Sequence, residues 1–530
     1  MSTAKQAATS VVIMIVFSLG SKVLGFIREI LIASKFGAGI ETDTFFVAMA
    51  ASGLFTTLIG AAINTTSIPV IAEVEAKEGR QAKIQHTNNM LNIVFALSIL
   101  LTFLGWWGAP LLVKMLAKGF AGEQLELAVY LTRIGMPVLL FSLINPVLRS
   151  YLQSEMMFFE TAASAFPYNL VYILFLLFFS GTFGIVGLVV ANTVAVVSQI
   201  LLQIYGLRKT DFKYSLVFDI QDEYVTRALM LTIPVFIGTA INEINIIVDK
   251  TLASTLAEGS ISALNYATRL NSLVLGVFIT AITTVTYPML AIEANNGDME
   301  KLKKLMAYGI NVVLLITIPA AIGLIVLSTP IVKVIFERGE FDAVATTMTA
   351  QALVFYALGL PSLGVRPLVS RVFFSLQDTK SPMYNGAVTV LVNVILNIVL
   401  VRTMGHRGLA LATSLANILA VVLLLMNLRT KIGTLGFRST LSCGIKSFVA
   451  AIVMGIVTYL SFQGLSNVFS SSWLSSAMAL LLAISLGAVV YLVLCGAMGI
   501  EEVRIAVNVL RAKAVGLKRR LIRSKSESSK

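Results

Sequence analysis

Residues 8–34 read ATSVVIMIVFSLGSKVLGFIREILIAS, an apolar stretch whose second half carries Lys22, Arg28 and Glu29. A transmembrane helix needs ~20 mostly apolar residues, so this stretch is long enough to cross a bilayer. A charge at membrane depth costs at least ~2.5 kcal/mol on insertion scales, and such residues usually face the interior of a helix bundle or a water-filled cavity. The three charged residues are therefore candidate functional residues.

Similar stretches recur through the chain, which is 57% hydrophobic and 13% charged, against about 25% charged residues in an ordinary soluble domain. The sequence predicts an all-α integral membrane protein with about 14 transmembrane helices. The predicted spans lie at 8–34, 43–72, 88–116, 125–152, 161–180, 183–206, 226–254, 260–292, 306–336, 344–375, 382–402, 408–428, 442–463 and 473–499.

Basic residues predict which connections face the cytoplasm. Lys and Arg cluster in the connections after spans six, eight and twelve and in the tail after residue 500, whereas the connections after spans five and thirteen hold no Lys or Arg. Because cytoplasmic loops carry an excess of Lys and Arg, we expect both termini to be cytoplasmic. The basic tail is then expected to lie at the anionic inner membrane surface, and the charge does not indicate nucleic-acid binding.

An internal duplication is visible at an offset of about 220 residues. Three pairs of segments match in register: Pro69-Val-Ile-Ala-Glu73 with Pro288-Met-Leu-Ala-Ile-Glu293, Pro110 and Lys118-Gly119-Phe120 with Pro330 and Arg338-Gly339-Glu340-Phe341, and Gly135-Met-Pro137 with Gly359-Leu-Pro361. An offset of six spans keeps the halves parallel, and such repeats place a substrate cavity between them. The predicted division is an N-terminal lobe at 1–220, a pseudo-symmetric C-terminal lobe at 221–435, two extra helices at 436–500, and a basic cytoplasmic tail at 501–530.

The charged residues inside the spans indicate an anionic ligand. Lys22, Arg28 and Arg269 have few acidic residues nearby in the sequence, and Arg binds phosphate through a bidentate fork. We therefore include these residues, together with three less strongly indicated ones, as candidate substrate-binding residues. The three are Glu29, Asp43 and Arg366. For these charged residues, structural ion pairing and snorkelling at helix ends remain alternatives.

Enzyme chemistry is not indicated. The chain has no Walker motif, and its two cysteines and two histidines form no metal-binding or catalytic pattern. No catalytic residues and no permanent cofactor are expected, and transport would draw on an ion gradient or on the membrane potential.

A sodium ion is the candidate coupling ion. Asn393 and Asn397 share a helix face at i, i+4, and with Asp249 and Thr413 they offer oxygen ligands of the kind that hard cations prefer. The same residues also suit ordinary hydrogen bonding between helices, so both interpretations stay open.

These residues lie in segments that resemble the MurJ (MviN) family of lipid II flippases. The similar segments cover roughly residues 8–430: Ser21-Lys-Val-Leu-Gly-Phe-Ile-Arg-Glu29, Phe36-Gly-Ala-Gly39 with Thr42-Asp43, Ala253-Ser254 with Glu258-Gly-Ser-Ile-Ser-Ala-Leu-Asn-Tyr-Ala-Thr-Arg269-Leu270, Phe336-Glu-Arg-Gly-Glu-Phe341, Tyr356-Ala-Leu-Gly-Leu-Pro361 and Gln377-Asp-Thr-Lys-Ser-Pro382.

The resemblance implies a fold of the MOP exporter superfamily, with two bundles in a V and alternating access. It implies flipping of undecaprenyl-diphosphate-linked disaccharide-pentapeptide, lipid II, across the bacterial cytoplasmic membrane for peptidoglycan synthesis. The implied partners are lipid II, membrane lipids and the cell-wall synthesis machinery. The implied diphosphate ligands are Lys22, Arg28 and Arg269, the implied sodium ligands are the four residues named above, and the last two helices would form a groove for the lipid tail.

The second span departs from the family pattern. Where the family has an arginine pair, this chain reads Leu54-Phe-Thr-Thr-Leu-Ile-Gly-Ala-Ala-Ile63, so Thr56 or Thr57 replaces a cavity arginine. Alternative functions are therefore a flippase for another polyprenyl-diphosphate-linked oligosaccharide and a cation-coupled multidrug exporter. The basic cavity argues against the exporter. A membrane-embedded glycosyltransferase would need a long extracytoplasmic loop with a catalytic carboxylate or base, and the sequence shows no such loop.

Overall fold

The computed structural model describes residues 3–468, 472–505 and 508, and in this part of the chain all regular secondary structure is helical. Most of the predicted basic tail at 501–530, including Lys518, Arg519, Arg520, Arg523 and Lys525, lies outside the described residues. The all-α prediction is therefore confirmed for the described part.

The first half of the chain forms ten helices before a linker at residues 208–222. They are α1 (Thr3–Phe36), α2 (Ile40–Glu78), α3 (Arg80–Trp107), α4 (Ala109–Leu116), α5 (Gly122–Gly135), α6 (Val138–Ser142), α7 (Ile144–Ser154), α8 (Phe158–Ala163), α9 (Ala165–Phe178) and α10 (Ser180–Leu207).

Within the described residues from 223 to 497, the second half adds eleven α-helices and one π-helical turn, Leu275–Ile279. The helices are α11 (Glu223–Ala253), α12 (Ser260–Val274), α13 (Thr280–Asn295), α14 (Met299–Val326), α15 (Ser328–Phe336), α16 (Ala343–Leu358), α17 (Leu360–Ser375), α18 (Lys380–Met404), α19 (His406–Ile432), α20 (Phe437–Val468) and α21 (Trp473–Ala497).

The predicted number of 14 spans is not confirmed. Ten helical segments in the described residues are long and apolar enough to cross a membrane, or up to 12 if each of two bent helix pairs is one span. The predicted spans at 8–34 and 260–292 are not among them. The first corresponds to α1, and the second is interrupted by the π-helical turn.

Residues at helix starts explain where several helices begin. The Asp222 carboxylate accepts hydrogen bonds from the backbone N–H groups of Tyr224 and Val225 at the start of α11, and Asp298 accepts one from Lys301 at the start of α14. Both carboxylates satisfy N–H groups that a helix cannot pair internally. Gly79, with a positive φ of 87°, allows the chain to turn between α2 and α3.

The chain divides into two compact units. Unit 1 contains residues 1–269, 335–352 and 386–412, and unit 2 contains residues 270–334, 353–385 and 413–530. These boundaries differ from those of the predicted lobes, because α11 and most of α12 group with the N-terminal helices in unit 1. The units are defined by internal packing and the lobes by sequence repeat, so the repeat-based division stays a prediction.

Each unit has its own apolar core. In unit 1, α2, α3, α7 and α10 pack around buried residues that include Tyr151 and Leu143. In unit 2, α13, α14, α17 and α19 pack around Leu302, Phe373 and Leu428, and a second cluster joins α20 and α21 near Cys443 and Cys495. Both cysteines are buried and free, as expected for small apolar core residues.

Candidate functional site

Unit 1 contains a cavity of about 280 Å³ that brings Arg28, Glu29 and Arg269 together. The helices around it are α1, α2, α6, α9, α10 and α12. The remaining lining residues are Ile32, Phe45, Phe46, Met49, Ser52, Gly53, Thr56, Val138, Ser142, Tyr168, Tyr172, Asn192 and Val196.

Arg28 is held firmly in this cavity. Its Nη2 lies 2.7 Å from Glu29 Oε1, and its Nη1 donates a hydrogen bond of 3.3 Å to Asn169 Oδ1. The guanidinium carbon also lies 5.5 Å from the ring centre of Tyr168 and 5.0 Å from that of Tyr172, both within the range of a cation–π contact. Its Nε is buried without a hydrogen-bond partner among the described residues.

Glu29 connects the two arginines. Its Oε1 also lies 3.5 Å from Arg269 Nε, and its Oε2 is buried without a partner. The sequence-based expectation that Arg28 and Arg269 have too few acidic neighbours is therefore corrected, because one carboxylate serves both. The Arg269 side chain is 53% exposed whereas that of Arg28 is 15% exposed, so Arg269 is the freer of the two. The three ionised side chains together carry one net positive charge.

Sequence reasoning missed the aromatic and amide residues that position Arg28. Tyr168 and Tyr172 lie at i, i+4 on α9 with Asn169 between them, and Tyr168 donates a hydrogen bond of 3.1 Å to Asn192 Oδ1. In an apolar span, tyrosines at this spacing look like core residues. The buried Asn169 was the signal that could have revealed the site, because an amide in a membrane helix needs a partner.

Thr56 lines the cavity, and its hydroxyl donates to the Gly53 carbonyl at 3.0 Å. Thr57 is exposed and is not among the lining residues. Of the two positions that replace the family's arginine, Thr56 is thus the one that faces the cavity.

Asp43 lies outside this cavity and has a different environment. Its carboxylate is 3% exposed and accepts hydrogen bonds from Gly259 N and Ser262 N, both at 2.8 Å, and from Ser262 Oγ at 2.6 Å. It therefore caps the N-terminus of α12 from the start of α2. These bonds engage both carboxylate oxygens, which fits a structural role better than substrate contact.

Two loops of unit 1, at residues 37–39 and 337–342, make close contact through their glycines at the same end of the unit as the Asp43 cap. A Cβ atom on Gly37 would lie 2.4 Å from the Glu340 carbonyl oxygen, and one on Gly339 would lie 2.1 Å from that of Ser34. The Glu340 N–H donates to the Ser34 carbonyl at 2.9 Å. Both glycines also have positive φ angles, so the loop at 37–39 and the loop at 337–342 meet backbone to backbone.

Two other predicted substrate residues are not brought into the cavity. Lys22 is half-buried on α1, two turns before Glu29, and does not line it. Arg366 belongs to unit 2, where its Nη1 donates to Asn417 Oδ1 at 3.2 Å.

Three of the four predicted sodium ligands meet in unit 1. Asn397 Nδ2 donates to Asp249 Oδ1 at 2.5 Å and to Asn393 Oδ1 at 2.8 Å, and Asn245, which sequence reasoning missed, donates to Asp249 Oδ2 at 3.2 Å. The Oδ1 atoms of Asn245 and Asn397 are buried without hydrogen-bond partners. Thr413 belongs to unit 2. Among the described residues, no group of three or more His, Cys, Asp or Glu side chains is arranged to hold a metal ion.

An apolar groove of about 570 Å³ lies in unit 2. It is formed by α14, α17, α19 and α20, and so includes one of the two helices expected to hold a lipid tail. Its lining residues are Ile310, Leu314, Ile318, Pro361, Ser362, Val365, Val421, Leu425, Thr440, Leu441, Gly444, Ile445 and Phe448.

Comparison with known proteins gives consistent matches in sequence and structure. The family model described as "Lipid II flippase MurJ" matches residues 32–484. The "Probable lipid II flippase MurJ" of Rhizobium tropici is 32% identical over 458 residues, which cover 84% of this chain and 85% of the relative.

Two solved structures are also similar. A structure titled "Lipid II flippase MurJ, inward closed conformation" has a TM-score of 0.75 and 25% identity, and the match covers 91% of this chain and 98% of that chain. An inward-facing multidrug resistance MATE family transporter of the MOP superfamily has a TM-score of 0.70 and 18% identity, over 80% of this chain and 99% of that chain. The second likeness concerns the fold alone.

Proposed function

The chain belongs to the MurJ family of lipid II flippases, and on this premise we propose that it moves lipid II across the membrane by binding the diphosphate in the cationic cavity of unit 1. The observation that carries the proposal is the pair of guanidiniums sharing one carboxylate, Arg28 and Arg269 around Glu29. A cavity with net positive charge favours an anionic group over a cationic drug.

The size of the cavity limits what enters it in this conformation. Its volume of about 280 Å³ is slightly below the ~300–1,000 Å³ of pockets that enclose a drug-sized ligand. A diphosphate fits this space, whereas a disaccharide-pentapeptide is too large for it. We therefore assign the cavity to the diphosphate.

The two arginines have different roles in this mechanism. Arg28 is fixed by Asn169, Tyr168 and Tyr172, so it presents its guanidinium in one orientation. Arg269 is more exposed, and its Nε lies 3.5 Å from Glu29 Oε1. When the substrate enters, Arg269 leaves this carboxylate and binds a phosphate oxygen instead. Glu29 then neutralises Arg269 again when the substrate leaves, which keeps the empty cavity from holding an uncompensated charge.

The apolar groove of unit 2 suits the polyprenyl tail. Hydrocarbon gains about 0.8 kcal/mol for each CH₂ moved out of water, but a tail already surrounded by lipid gains little from an apolar wall. The groove therefore guides the tail and excludes polar groups, while the charged cavity supplies the specific recognition.

Alternating access requires that one end of the path be closed. Two loops of unit 1 meet at Gly37 and Gly339, and the Asp43 cap on α12 lies beside them. All of these segments belong to odd-numbered connections between the predicted spans, and the charge pattern assigns those connections to the extracytoplasmic side. We propose that these backbone contacts close that side, and that they break when the substrate is released. Asp43 then acts in the conformational change and not in substrate binding.

Sodium coupling remains a proposal, carried by the carboxamide cluster around Asp249. One carboxylate and the unpartnered Oδ1 atoms of Asn245 and Asn397 are hard oxygen donors, which suits a sodium ion. An ion shifts a conformational equilibrium only if it binds one state better. Replacing potassium with sodium should therefore change the inward/outward distribution of the purified protein, and Asp249→Ala should abolish the response. If sodium does not change the inward/outward distribution, the cluster around Asp249 has only a structural role.

The apolar helices and the family indicate a multi-pass protein of the bacterial cytoplasmic membrane. We propose that both termini are cytoplasmic and that the chain catalyses no covalent step. Reporter fusions after Gly181 and after Lys530 should report opposite sides of the membrane, and a same-side result would contradict this topology. Contact with the cell-wall synthesis machinery is a further expectation.

Lipid II flipping is tested by genetic complementation. Expression of the chain in a bacterium depleted of its own lipid II flippase should restore growth and cell shape. Arg28→Ala, expressed in the membrane at the same level, should not restore them. If the wild-type chain fails to complement but translocates another polyprenyl-diphosphate-linked oligosaccharide in liposomes, that substrate replaces lipid II.

A further inference from the structure

The linker between α10 and α11 is tied across α3 by three asparagines. Asn88 Nδ2 donates to the carbonyl of Lys213 at 2.8 Å, Asn92 Nδ2 donates to that of Val217 at 2.8 Å, and Asn89 exchanges two hydrogen bonds with the backbone of Asp219. The three amides are at most 7% exposed. The linker is thus fixed against α3 at the ends of the spans, where a membrane protein meets the headgroup region.

This segment, residues 212–220, exposes four large apolar side chains. Tyr214, Leu216, Phe218 and Ile220 are 65%, 83%, 55% and 57% exposed. An exposed row of four large apolar residues is unfavourable in water and fits the boundary between headgroups and acyl chains.

A groove of about 520 Å³ opens beside the segment in unit 1. Apolar side chains of α3, α7 and α10 form its walls, among them Phe95, Leu148 and Ile204. Tyr214 and Arg208 lie at the linker side of the groove. The Tyr214 hydroxyl donates to Asn92 Oδ1 at 2.7 Å, so the linker and the groove are held together by the same asparagine.

Some of the basic residues next to the groove have a carboxylate partner and others do not. Lys209 lies 2.9 Å from Glu160 Oε1, and this hydrogen bond raises the pKa of Lys209. Asp211 pairs with Arg80. Arg208 and Lys213 have no carboxylate partner among the described residues, and both are exposed. The groove therefore combines an apolar channel with one lining cation, Arg208, while Lys213 lies on the adjoining linker between residues 212 and 214, which both line the groove.

We propose that this groove binds an anionic phospholipid, with one acyl chain in the channel and the phosphate at Arg208 and Lys213. The occupant is a lipid and not a protein segment because the apolar walls belong to membrane-spanning helices, while the cations lie just beyond the end of α10. Basic residues at that level attract anionic lipids. The site uses none of the residues assigned to lipid II and does not depend on that function.

Native mass spectrometry of the purified full-length protein tests the site, with phosphatidylglycerol as the probe and phosphatidylcholine as the neutral comparison. Arg208→Gln with Lys213→Gln should weaken phosphatidylglycerol binding about 25-fold, since each basic residue near an anionic membrane surface contributes ~1 kcal/mol, or about fivefold. Arg429→Gln, which removes an exposed cation at the end of α19 in unit 2, should leave the affinity unchanged.

A second pair of variants tests the channel without changing the charge. Ile204→Trp places an indole in the groove and should reduce phosphatidylglycerol binding, whereas Leu201→Trp, on the same helix at an exposed position outside the lining, should not. Equal binding of the two lipids, or wild-type binding by the Arg208/Lys213 variant, would overturn the proposal. Displacement of the lipid by millimolar inorganic phosphate would also overturn it, because the site would then recognise a free anion.

Discussion

The cavity of unit 1 and the apolar groove of unit 2 are both open spaces among helices, but different forces define them. The smaller space, about 280 Å³, is built around three ionised side chains whose positions are fixed by hydrogen bonds and aromatic rings. The larger, about 570 Å³, is lined almost entirely by aliphatic and aromatic side chains. One space is suited to recognise a charge pattern and the other to accept any hydrocarbon chain.

This contrast matches the two parts of a polyprenyl-diphosphate substrate. Charge-assisted hydrogen bonds depend on direction and are strong where water is excluded, so they confer specificity. Apolar contact in a membrane does not distinguish the tail from ordinary lipid acyl chains. Selectivity is therefore expected to reside in unit 1, and the groove is expected to affect how long a correct substrate stays bound.

The largest expected effect comes from Arg28→Ala. Loss of charge-assisted hydrogen bonds in a partly buried site costs ~1.5–3 kcal/mol, so we expect diphosphate binding to weaken by about 10- to 150-fold and flipping in liposomes to stop. Arg28→Lys should restore part of the activity, because a lysine keeps the charge without the bidentate fork.

Arg133→Ala is the matched control for this prediction. Arg133 is also an arginine of unit 1, contacts the ring of Trp106, and does not line the cavity. If Arg133→Ala reduced flipping as much as Arg28→Ala, general loss of stability would explain both results and the cavity would lose its assigned role.

The sequence located the charged centre of the cavity but not its arrangement. Arg28, Glu29 and Arg269 were identifiable because charges within apolar spans are rare and costly. That one carboxylate contacts both arginines depends on side-chain orientation and on the approach of α12 to α1, which no local pattern encodes. Tyr168 and Tyr172 were missed because aromatic side chains in a span resemble ordinary core residues.

Long-range contacts likewise explain why other predictions differed from the structure. Asp43 looked like a cavity residue because it opens a span, but it caps α12, whose first turn lies more than 200 residues later in the sequence. By contrast, the structure does place Asn393 and Asn397, which were linked by their i, i+4 spacing, beside Asp249. The predicted number of 14 spans is not confirmed, and the predicted span at 260–292 is interrupted by the π-helical turn after α12.

A moderate effect is expected from Gly444→Leu, which fills the groove of unit 2. A Cβ atom at Gly444 would lie 3.7 Å from Leu314 Cδ1, an ordinary contact, so the helix tolerates a side chain there. Displacing about two tail methylenes would cost ~0.8 kcal/mol each if they returned to water. Because detergent also surrounds the tail, we expect binding of a long-chain polyprenyl diphosphate to weaken by no more than roughly tenfold. Equilibrium binding in detergent measures the change.

Gly464→Leu provides the control on the same helix, α20, because nothing lies within 4 Å of a Cβ atom at that position. It should leave the affinity unchanged. An equal loss in both variants would mean that the altered helix and not the filled groove weakens binding, and the comparison between the two spaces would then fail.

The smallest expected effect comes from Thr56→Arg, which adds a second-span arginine to the cavity. An additional cation near a bound diphosphate should tighten its binding about fivefold, corresponding to ~1 kcal/mol at the effective dielectric of a partly hydrated site. Thr56→Gln adds comparable length without the charge and should not tighten binding. A similar gain in both variants would show that packing, and not charge, limits affinity at this position.

The most direct test compares the binding of a short and a long prenyl diphosphate, geranyl diphosphate and undecaprenyl diphosphate, to the wild type, Arg28→Ala and Gly444→Leu. Arg28→Ala should weaken both ligands by the same factor, because both carry the diphosphate. Gly444→Leu should weaken the long ligand and leave the short one unchanged. If Arg28→Ala left the short ligand's affinity intact, or if Gly444→Leu weakened both equally, the assignment of the diphosphate to unit 1 and of the tail to unit 2 would be wrong.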